Sequence, residues 1–100
     1  MEIKKEITEN GLILKLRGRL DTESAPMLEA ALHEDISDIQ EVTVDFLNAE
    51  YVSSAGLRVL LGSTKMLKKR GIGLKVVHLS QSIREIFEVT GFIDLLEIEE

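Results

Sequence analysis

The chain has 100 residues, the size of one ordinary domain, and its 44% apolar content excludes intrinsic disorder. It has no cysteine and only two histidines, which excludes a disulfide framework and a cysteine nucleophile and makes a metal site unexpected. The net charge of −6 argues against a nucleic-acid partner, because nucleic-acid phosphates require a basic surface.

The start of the chain indicates where the protein is located in the cell, and its glycines indicate whether it binds a nucleotide. The first residues are charged and lack the apolar segment of a secretory signal, and no apolar run reaches the length of a membrane span. We therefore expect one cytoplasmic domain over residues 1–100, with no membrane insertion. No glycine is followed by Lys-Ser or Lys-Thr at the spacing of a phosphate-binding loop, so neither a nucleotide nor any other cofactor is expected.

The chain begins with a predicted β-hairpin. Residues 2–8 form a charged, half-apolar strand that suits the edge of a sheet. Asn10-Gly11 is typical of a tight turn, and the strand that follows over residues 12–17 places its leucines on one face.

A helix is predicted after this hairpin. The residues from Gly18 to Asp21 break the alternating pattern. The helix begins near Asp21, Thr22 or Ser24, because each of these side chains can cap free N–H groups. Its buried stripe recurs at helical spacing and comprises Ala25, Leu28, Leu32 and Ile36.

The middle of the chain predicts a strand, a loop and a helix. The strand covers residues 41–46, where apolar and polar side chains alternate, and residues 47–52 lead out of it. The helix follows Ser54 and stops at Gly71, with basic residues in its last turn. Its predicted inner face comprises Leu57, Leu60, Leu61, Thr64 and Leu67.

The last part of the chain predicts one more helix between two strands. A short strand covers residues 73–77, and either Ser80 or Ser82 caps the helix that follows. That helix ends at Thr90-Gly91, and residues 95–98 form the last strand. Its inward-facing residues are Ile83, Ile86 and Phe87.

These elements predict an α/β fold in the order β-β-α-β-α-β-α-β. A hairpin that leads into successive strand–helix crossovers produces a mixed, mostly parallel sheet of about five strands. Because such crossovers are right-handed, the helices are expected mainly over one face of the sheet.

Two adjacent serines stand at the start of the second helix, and three interpretations of them are open. In the first, one hydroxyl only caps the helix. In the second, an exposed serine is phosphorylated, and the helix N–H groups solvate a group of about −1.5 to −2 charges. The third, a nucleophile, is disfavoured because Ser53 and Ser54 lie outside a G-x-S-x-G motif and neither His33 nor His78 has the sequence context of its base.

Residues near these serines also have two interpretations each. Gly56 either eases the turn from strand to helix or lets the backbone of a partner approach closely. Asp21 is either a helix cap or a residue at the rim of the serine loop. Tyr51 and Val52 are interpreted as packing residues rather than contacts.

The residues from Asp45 to Leu61, DFLNAEYVSSAGLRVLL, resemble the signature of the STAS domain as found in bacterial anti-sigma factor antagonists. The segment from Gly18 to Thr22 resembles the turn into the first helix of that family, and Ser80 to Gly91 resembles its late helix. The resemblance implies the STAS fold and a regulatory binding module rather than an enzyme.

For function, the resemblance implies partner switching. The unphosphorylated antagonist binds an anti-sigma factor that is also a serine protein kinase, which frees the sigma factor. The kinase then phosphorylates the antagonist, and a PP2C-type phosphatase resets it. On this sequence the phosphorylated residue is Ser54. The partner-binding residues are expected to be Asp21, Thr22, Ser53, Ser54, Ala55, Gly56 and Arg58.

The sequence departs from the family pattern at two positions. Ser53 stands where many kinase-regulated members have aspartate, and Ala55 stands where they have serine or threonine. The lost aspartate removes a charge beside the acceptor serine. This leaves an alternative function open: a constitutive STAS scaffold or soluble subunit of a transport or multiprotein assembly, which is not phosphorylated.

Overall fold

The structure is a computed structural model that describes residues 1–34 and 39–99. Within these residues the elements follow the predicted order. They are β1 (Glu2–Ile7), β2 (Gly11–Leu20), α1 (Ala25–Leu32), β3 (Glu41–Val52), α2 (Ser54–Lys69), β4 (Gly73–Val77), α3 (Gln81–Thr90), a 3-10 turn (Phe92–Asp94) and β5 (Glu97–Glu99). Ile36, predicted as the last member of the buried stripe of α1, lies outside the described residues.

The strands form one sheet in the spatial order β1-β2-β3-β4-β5. The β1–β2 pair is antiparallel, and the pairs β2–β3, β3–β4 and β4–β5 are parallel. This confirms the mixed, mostly parallel sheet and the α/β class predicted from the order of the elements.

One face of the sheet carries the core. In β2 and β3 alternate residues are buried, among them Leu14, Val44 and Phe46, and the ring of Phe46 meets that of Phe87 from α3 edge to face, with centroids 6.1 Å apart. The residues between them, such as Lys15 and Thr43, point to the opposite face and are only partly buried. The helices therefore lie over one face, as the crossover rule predicts.

The strands β2 and β3 are longer than their local patterns indicate. β2 runs to Leu20 rather than ending at residue 17, and β3 runs to Val52 rather than 46. Gly18 has φ +100°, and the register between the strands shifts on either side of it, so apolar residues no longer alternate. Pairing between the two strands continues beyond these irregularities to Leu20 opposite Val52.

The inner face of α2 differs from the prediction in detail. Leu57, Leu60 and Leu67 are buried, whereas Leu61 and Thr64 are only partly so. The buried stripe also includes Gly56 and Ser63.

The C-terminal helix ends where the sequence predicts, whereas the last strand begins later. Ser80, not Ser82, caps α3, and Gly91 ends it in the left-handed conformation at φ +79°. The last strand begins at Glu97 rather than at residue 95, because the 3-10 turn and Leu96, which is buried in the core, come first. No helix among the described residues is long and apolar enough to cross a membrane.

Candidate functional site

The site lies where two parallel strands end side by side. Leu20 closes β2 and Val52 closes β3, and the two residues are register partners. Because parallel strands end at the same edge of a sheet, the segments that lead into α1 and α2 start together. The N–H of Ser53 donates to the carbonyl oxygen of Leu20 at 2.8 Å, which ties the two segments to each other.

Ser53 is the N-cap of α2. Its backbone is extended, with φ −96° and ψ 171°, and its hydroxyl oxygen accepts a hydrogen bond from the N–H of Gly56 at 3.3 Å. This is the cap geometry in which a short polar side chain satisfies a free N–H of the first turn. The structural role of the serine pair therefore belongs to Ser53.

Ser54 is the first residue of α2 and is exposed. Its hydroxyl takes no part in the cap. It accepts a hydrogen bond from Nη2 of Arg58, one helical turn later, at 3.3 Å. The two adjacent serines thus differ in environment: one is partly buried and holds the helix start, and the other presents its hydroxyl to solvent.

Gly56 is buried beneath the site. A β-carbon on this residue would lie 2.6 Å from Cγ of Leu20 and 3.2 Å from Cγ2 of Val52. Close packing of α2 on the ends of β2 and β3 is therefore what requires glycine here. A partner contact at Gly56 itself stays a prediction.

The turn at Asp21 follows the end of β2 and is the other loop at this edge of the sheet. The Oδ1 atom of Asp21 accepts hydrogen bonds from the N–H groups of Glu23 at 3.1 Å and of Ser24 at 3.0 Å. In return, the Ser24 hydroxyl accepts from the N–H of Asp21 at 2.9 Å and donates to the carbonyl oxygen of Arg19 at 2.7 Å. Hydrogen bonds that Ser24 donates to the Asp21 carboxylate, from its N–H above all and also from its hydroxyl, lower the pKa of that carboxyl below its ordinary value of 3.8, with Glu23 and Arg19 adding to the effect.

Asp21 therefore caps the turn that precedes α1 rather than the helix itself, and its place at the rim of the serine-bearing loop stays a prediction. Ser24 occupies the N-cap position of α1 but makes no side-chain bond to the helix. Thr22 is exposed at the tip of the turn, and Ala55 is partly buried beside Ser54.

Sequence reasoning missed Arg19. Its guanidinium carbon lies 4.5 Å from the ring centroid of Tyr51, and its Nε lies 4.0 Å from Oδ2 of Asp21. Arg19 and Tyr51 are register partners in β2 and β3. The sequence pattern does not indicate this pairing, because the residues after Gly18 look like a break in the strand rather than its continuation.

We give the name Ser54 surface to the residues around the ends of β2 and β3 and the start of α2. They are Arg19, Asp21, Thr22, Ser53, Ser54, Ala55 and Arg58. The first turn of α2 contains no acidic residue, and the basic side chains of Arg19 and Arg58 both belong to this surface. Among residues 1–34 and 39–99, no group of three or more His, Asp or Glu side chains is arranged to hold a metal ion.

The two histidines belong to other parts of the chain. Nδ1 of His78 lies 2.9 Å from Oδ1 of Asp45, which also accepts from the N–H of Leu47. His33 follows the last turn of α1. The hydrogen-bond partner of the Ser54 hydroxyl is an arginine, which is not a general base at neutral pH.

Comparison with known proteins agrees with this architecture. The anti-sigma-B factor antagonist of Bacillus subtilis (strain 168) is 32% identical over 90 residues, which are 90% of this chain and 83% of that protein. An anti-sigma factor antagonist from Mycobacterium paratuberculosis has a similar structure, with a TM-score of 0.85 at 23% identity over 97% of this chain and 83% of that one. The Bacillus cell fate determinant SpoIIAA in its phosphorylated form gives a TM-score of 0.74 at 18% identity, over 99% of this chain and 92% of that one.

The two structural likenesses concern the fold, while the family follows from the sequence. A family model for the STAS domain matches residues 2–100. The five-stranded mixed sheet and the pair of serines at the start of α2 agree with that match. The chain belongs to the STAS domain family.

Proposed function

We propose that this protein is an anti-sigma factor antagonist that binds its anti-sigma factor through the Ser54 surface. Support comes from the family and from the Bacillus subtilis relative, which is named for that role. Such a protein acts by binding and releasing a partner and is not an enzyme. The observation that carries the proposal is the exposure of the Ser54 hydroxyl at the start of α2, beside a serine that already caps the helix.

We further propose that phosphorylation of Ser54 by the anti-sigma factor, acting as a serine kinase, turns binding off. In this transfer the Ser54 Oγ forms a bond to the γ-phosphorus of ATP while the bond from that phosphorus to the β–γ bridging oxygen breaks, so that ADP leaves and the hydroxyl proton is released. The fold tolerates this because Ser54 is exposed and Ser53 retains the cap. The phosphate adds about −1.5 to −2 charges to the surface that the partner contacts, so the change falls on binding rather than on folding.

The serine at position 53 is compatible with this mechanism. Serine and aspartate are comparable N-cap residues, so Ser53 makes the hydrogen bond to Gly56 that an aspartate would otherwise make. What differs is charge, because serine places no carboxylate at the N-cap and the first turn of α2 contains no acidic residue either. A PP2C-type phosphatase is the proposed enzyme that restores the unphosphorylated form.

A neighbouring groove extends the proposed contact area. It is lined by Gly18, Arg19, Asp21, Met27 and Glu50, among others, and the side chain of Met27 is 48% exposed. An exposed methionine provides adaptable apolar contact area beside the charged Ser54 surface. A partner that covers both the groove at Met27 and the Ser54 surface would combine burial of apolar area with recognition of charge.

The test is a pull-down from lysate of the native host with Ser54→Ala and Ser54→Asp proteins side by side. We expect the alanine form to capture an anti-sigma factor with a kinase domain and the aspartate form to lose it. Ser82→Asp is the matched control, since Ser82 is also exposed in the first turn of a helix and should not affect capture.

Intact-mass analysis of the protein from its native host completes the test. A phosphorylated population that disappears in the Ser54→Ala protein would support the switch. If both baits capture the same transporter or scaffold proteins and no phosphorylated form exists, the proposal is wrong and a constitutive STAS scaffold replaces it.

A further inference from the structure

We infer that Arg58 is a positioning residue that clamps the phosphate on phosphorylated Ser54. This inference rests on the phosphorylation proposed above and specifies how the chain responds to it. In the unphosphorylated protein Arg58 presents a cation on the Ser54 surface. After phosphorylation the same cation pairs with the phosphate and is withdrawn from the partner.

The geometry already brings the two side chains together. Ser54 and Arg58 are separated by one helical turn, and Nη2 of Arg58 donates to Oγ of Ser54 at 3.3 Å. Long side chains in a helix point back toward its N-terminus, so the guanidinium of Arg58 lies over the first turn of α2. A phosphoryl group on Oγ would be attached next to this guanidinium.

Among the described residues, the Arg58 guanidinium has a neutral hydrogen-bond partner, the Ser54 hydroxyl, and no carboxylate partner. The first turn of α2 also contains no acidic residue. The N-terminal end of a helix carries partial positive charge, so a cation held there is electrostatically unfavourable. A serine hydroxyl only partly offsets this, because it is neutral.

A phosphate satisfies this arrangement better than a hydroxyl does. The guanidinium has several N–H donors in a planar fork, and a phosphate offers three oxygen acceptors that match the fork in a bidentate manner. In the phosphorylated protein the Arg58 guanidinium would move from Oγ of Ser54 to the oxygens of the phosphoryl group that Oγ carries. The helix N–H groups and Arg58 would then bind the phosphate from two sides.

The test uses protein with phosphoserine incorporated at position 54 during translation, which requires neither a kinase nor a partner. The second pKa of the phosphate is measured by 31P NMR in the wild-type sequence, in Arg58→Gln and in Arg58→Lys. We expect it to be lower in the wild type than in Arg58→Gln by about half a pKa unit, since a nearby cation favours the dianion. Arg58→Lys should lie between the two, because it retains the charge without the fork.

The matched control is Arg70→Gln, which removes an exposed arginine at the other end of α2 and should leave the phosphate pKa unchanged. Equal phosphate pKa values in the wild type and in Arg58→Gln would overturn the clamp. Because this measurement involves no partner, it is independent of the pull-down. Equal phosphate pKa values would contradict the role of Arg58 without contradicting antagonist function. A negative pull-down would contradict antagonist function without affecting the phosphate pKa measurement.

A second readout is the sign of the effect on thermal stability. Arg58→Gln should leave unchanged or raise the melting temperature of the unphosphorylated protein, since it removes a cation from the helix N-terminus. It should lower the melting temperature of the phosphoserine protein. A purely structural role for Arg58 predicts the same direction in both, and that result would also overturn the inference.

Discussion

Gly56 lies directly against Leu20, and the contact leaves no room for a β-carbon: one built on Gly56 would be 2.6 Å from Cγ and 2.9 Å from Cδ2 of the leucine. Leu20 is fully buried at the end of β2. This contact determines how closely the start of α2 approaches the turn at Asp21. Because Leu20 directly precedes Asp21 and Gly56 follows Ser54 by two residues, this contact holds the Asp21 turn and the start of α2 close to each other.

The substitution Gly56→Ala is expected to destabilise the protein by about 1 to 3 kcal/mol, the usual effect of overpacking a closed core. The reason is that Leu20 and Val52 must shift to admit the methyl group. The measurement is the free energy of unfolding from urea denaturation. An unchanged free energy would mean that the helix start adjusts freely, which contradicts the packing described here.

The substitution Gly62→Ala is expected to have the opposite sign. Gly62 lies in the interior of α2, is exposed, and has no atom within 4 Å of the position where a β-carbon would be. Alanine in a helix interior is more favourable than glycine by about 0.5 to 1 kcal/mol. Urea denaturation of Gly56→Ala and Gly62→Ala separates packing from helix propensity. Both variants add one methyl group to α2, but only the one at Gly56 meets neighbouring side chains. A loss of stability in Gly62→Ala would contradict this explanation.

The adjacent serines should respond differently to alanine. Ser53→Ala is expected to lower the free energy of unfolding by about 1 kcal/mol, because it removes the cap on the Gly56 N–H. Ser54→Ala should change it by less than about 0.5 kcal/mol, as is usual for exposed positions. Ser53→Asp serves as the control, since it keeps the cap. Equal losses at both positions would show that the assignment of the cap to Ser53 is wrong.

The Asp21 turn should make stability depend on pH. The folded-state pKa of Asp21 is lowered, so the stability contributed by its ionised carboxylate is complete above about pH 3.8 and is lost as the pH falls through the lower folded-state pKa. Asp21→Asn should therefore lower the melting temperature at pH 7, and the difference from wild type should narrow progressively as the pH falls below about 3.8. Glu23→Gln, in the same exposed turn, is the control and should have a smaller effect at pH 7. A difference for Asp21→Asn that stays constant from pH 7 to pH 3 would exclude this role for the ionised carboxylate.

Local patterns along the sequence were sufficient for much of the fold. The order of strands and helices, the bounds of β4 and the glycine that ends α3 all followed from periodicity and turn residues. These features depend on interactions between residues close in sequence, such as caps and the alternation of a strand. The position of the serine pair at the start of α2 followed in the same way.

The tertiary structure decided the features that depend on how two strands pair. The extension of β2 and β3 past Gly18, and with it the stacking of Arg19 on Tyr51, required the register between strands. The sequence by itself determined that two serines begin a helix at the edge of a mixed sheet. The tertiary structure decided which serine caps the helix and which is exposed: the N–H of Ser53 bonds to the carbonyl oxygen of Leu20, so Ser53 is held against the end of β2 and is partly buried, while Ser54 faces solvent. Such a contact joins residues far apart in the chain and cannot be read from a local pattern.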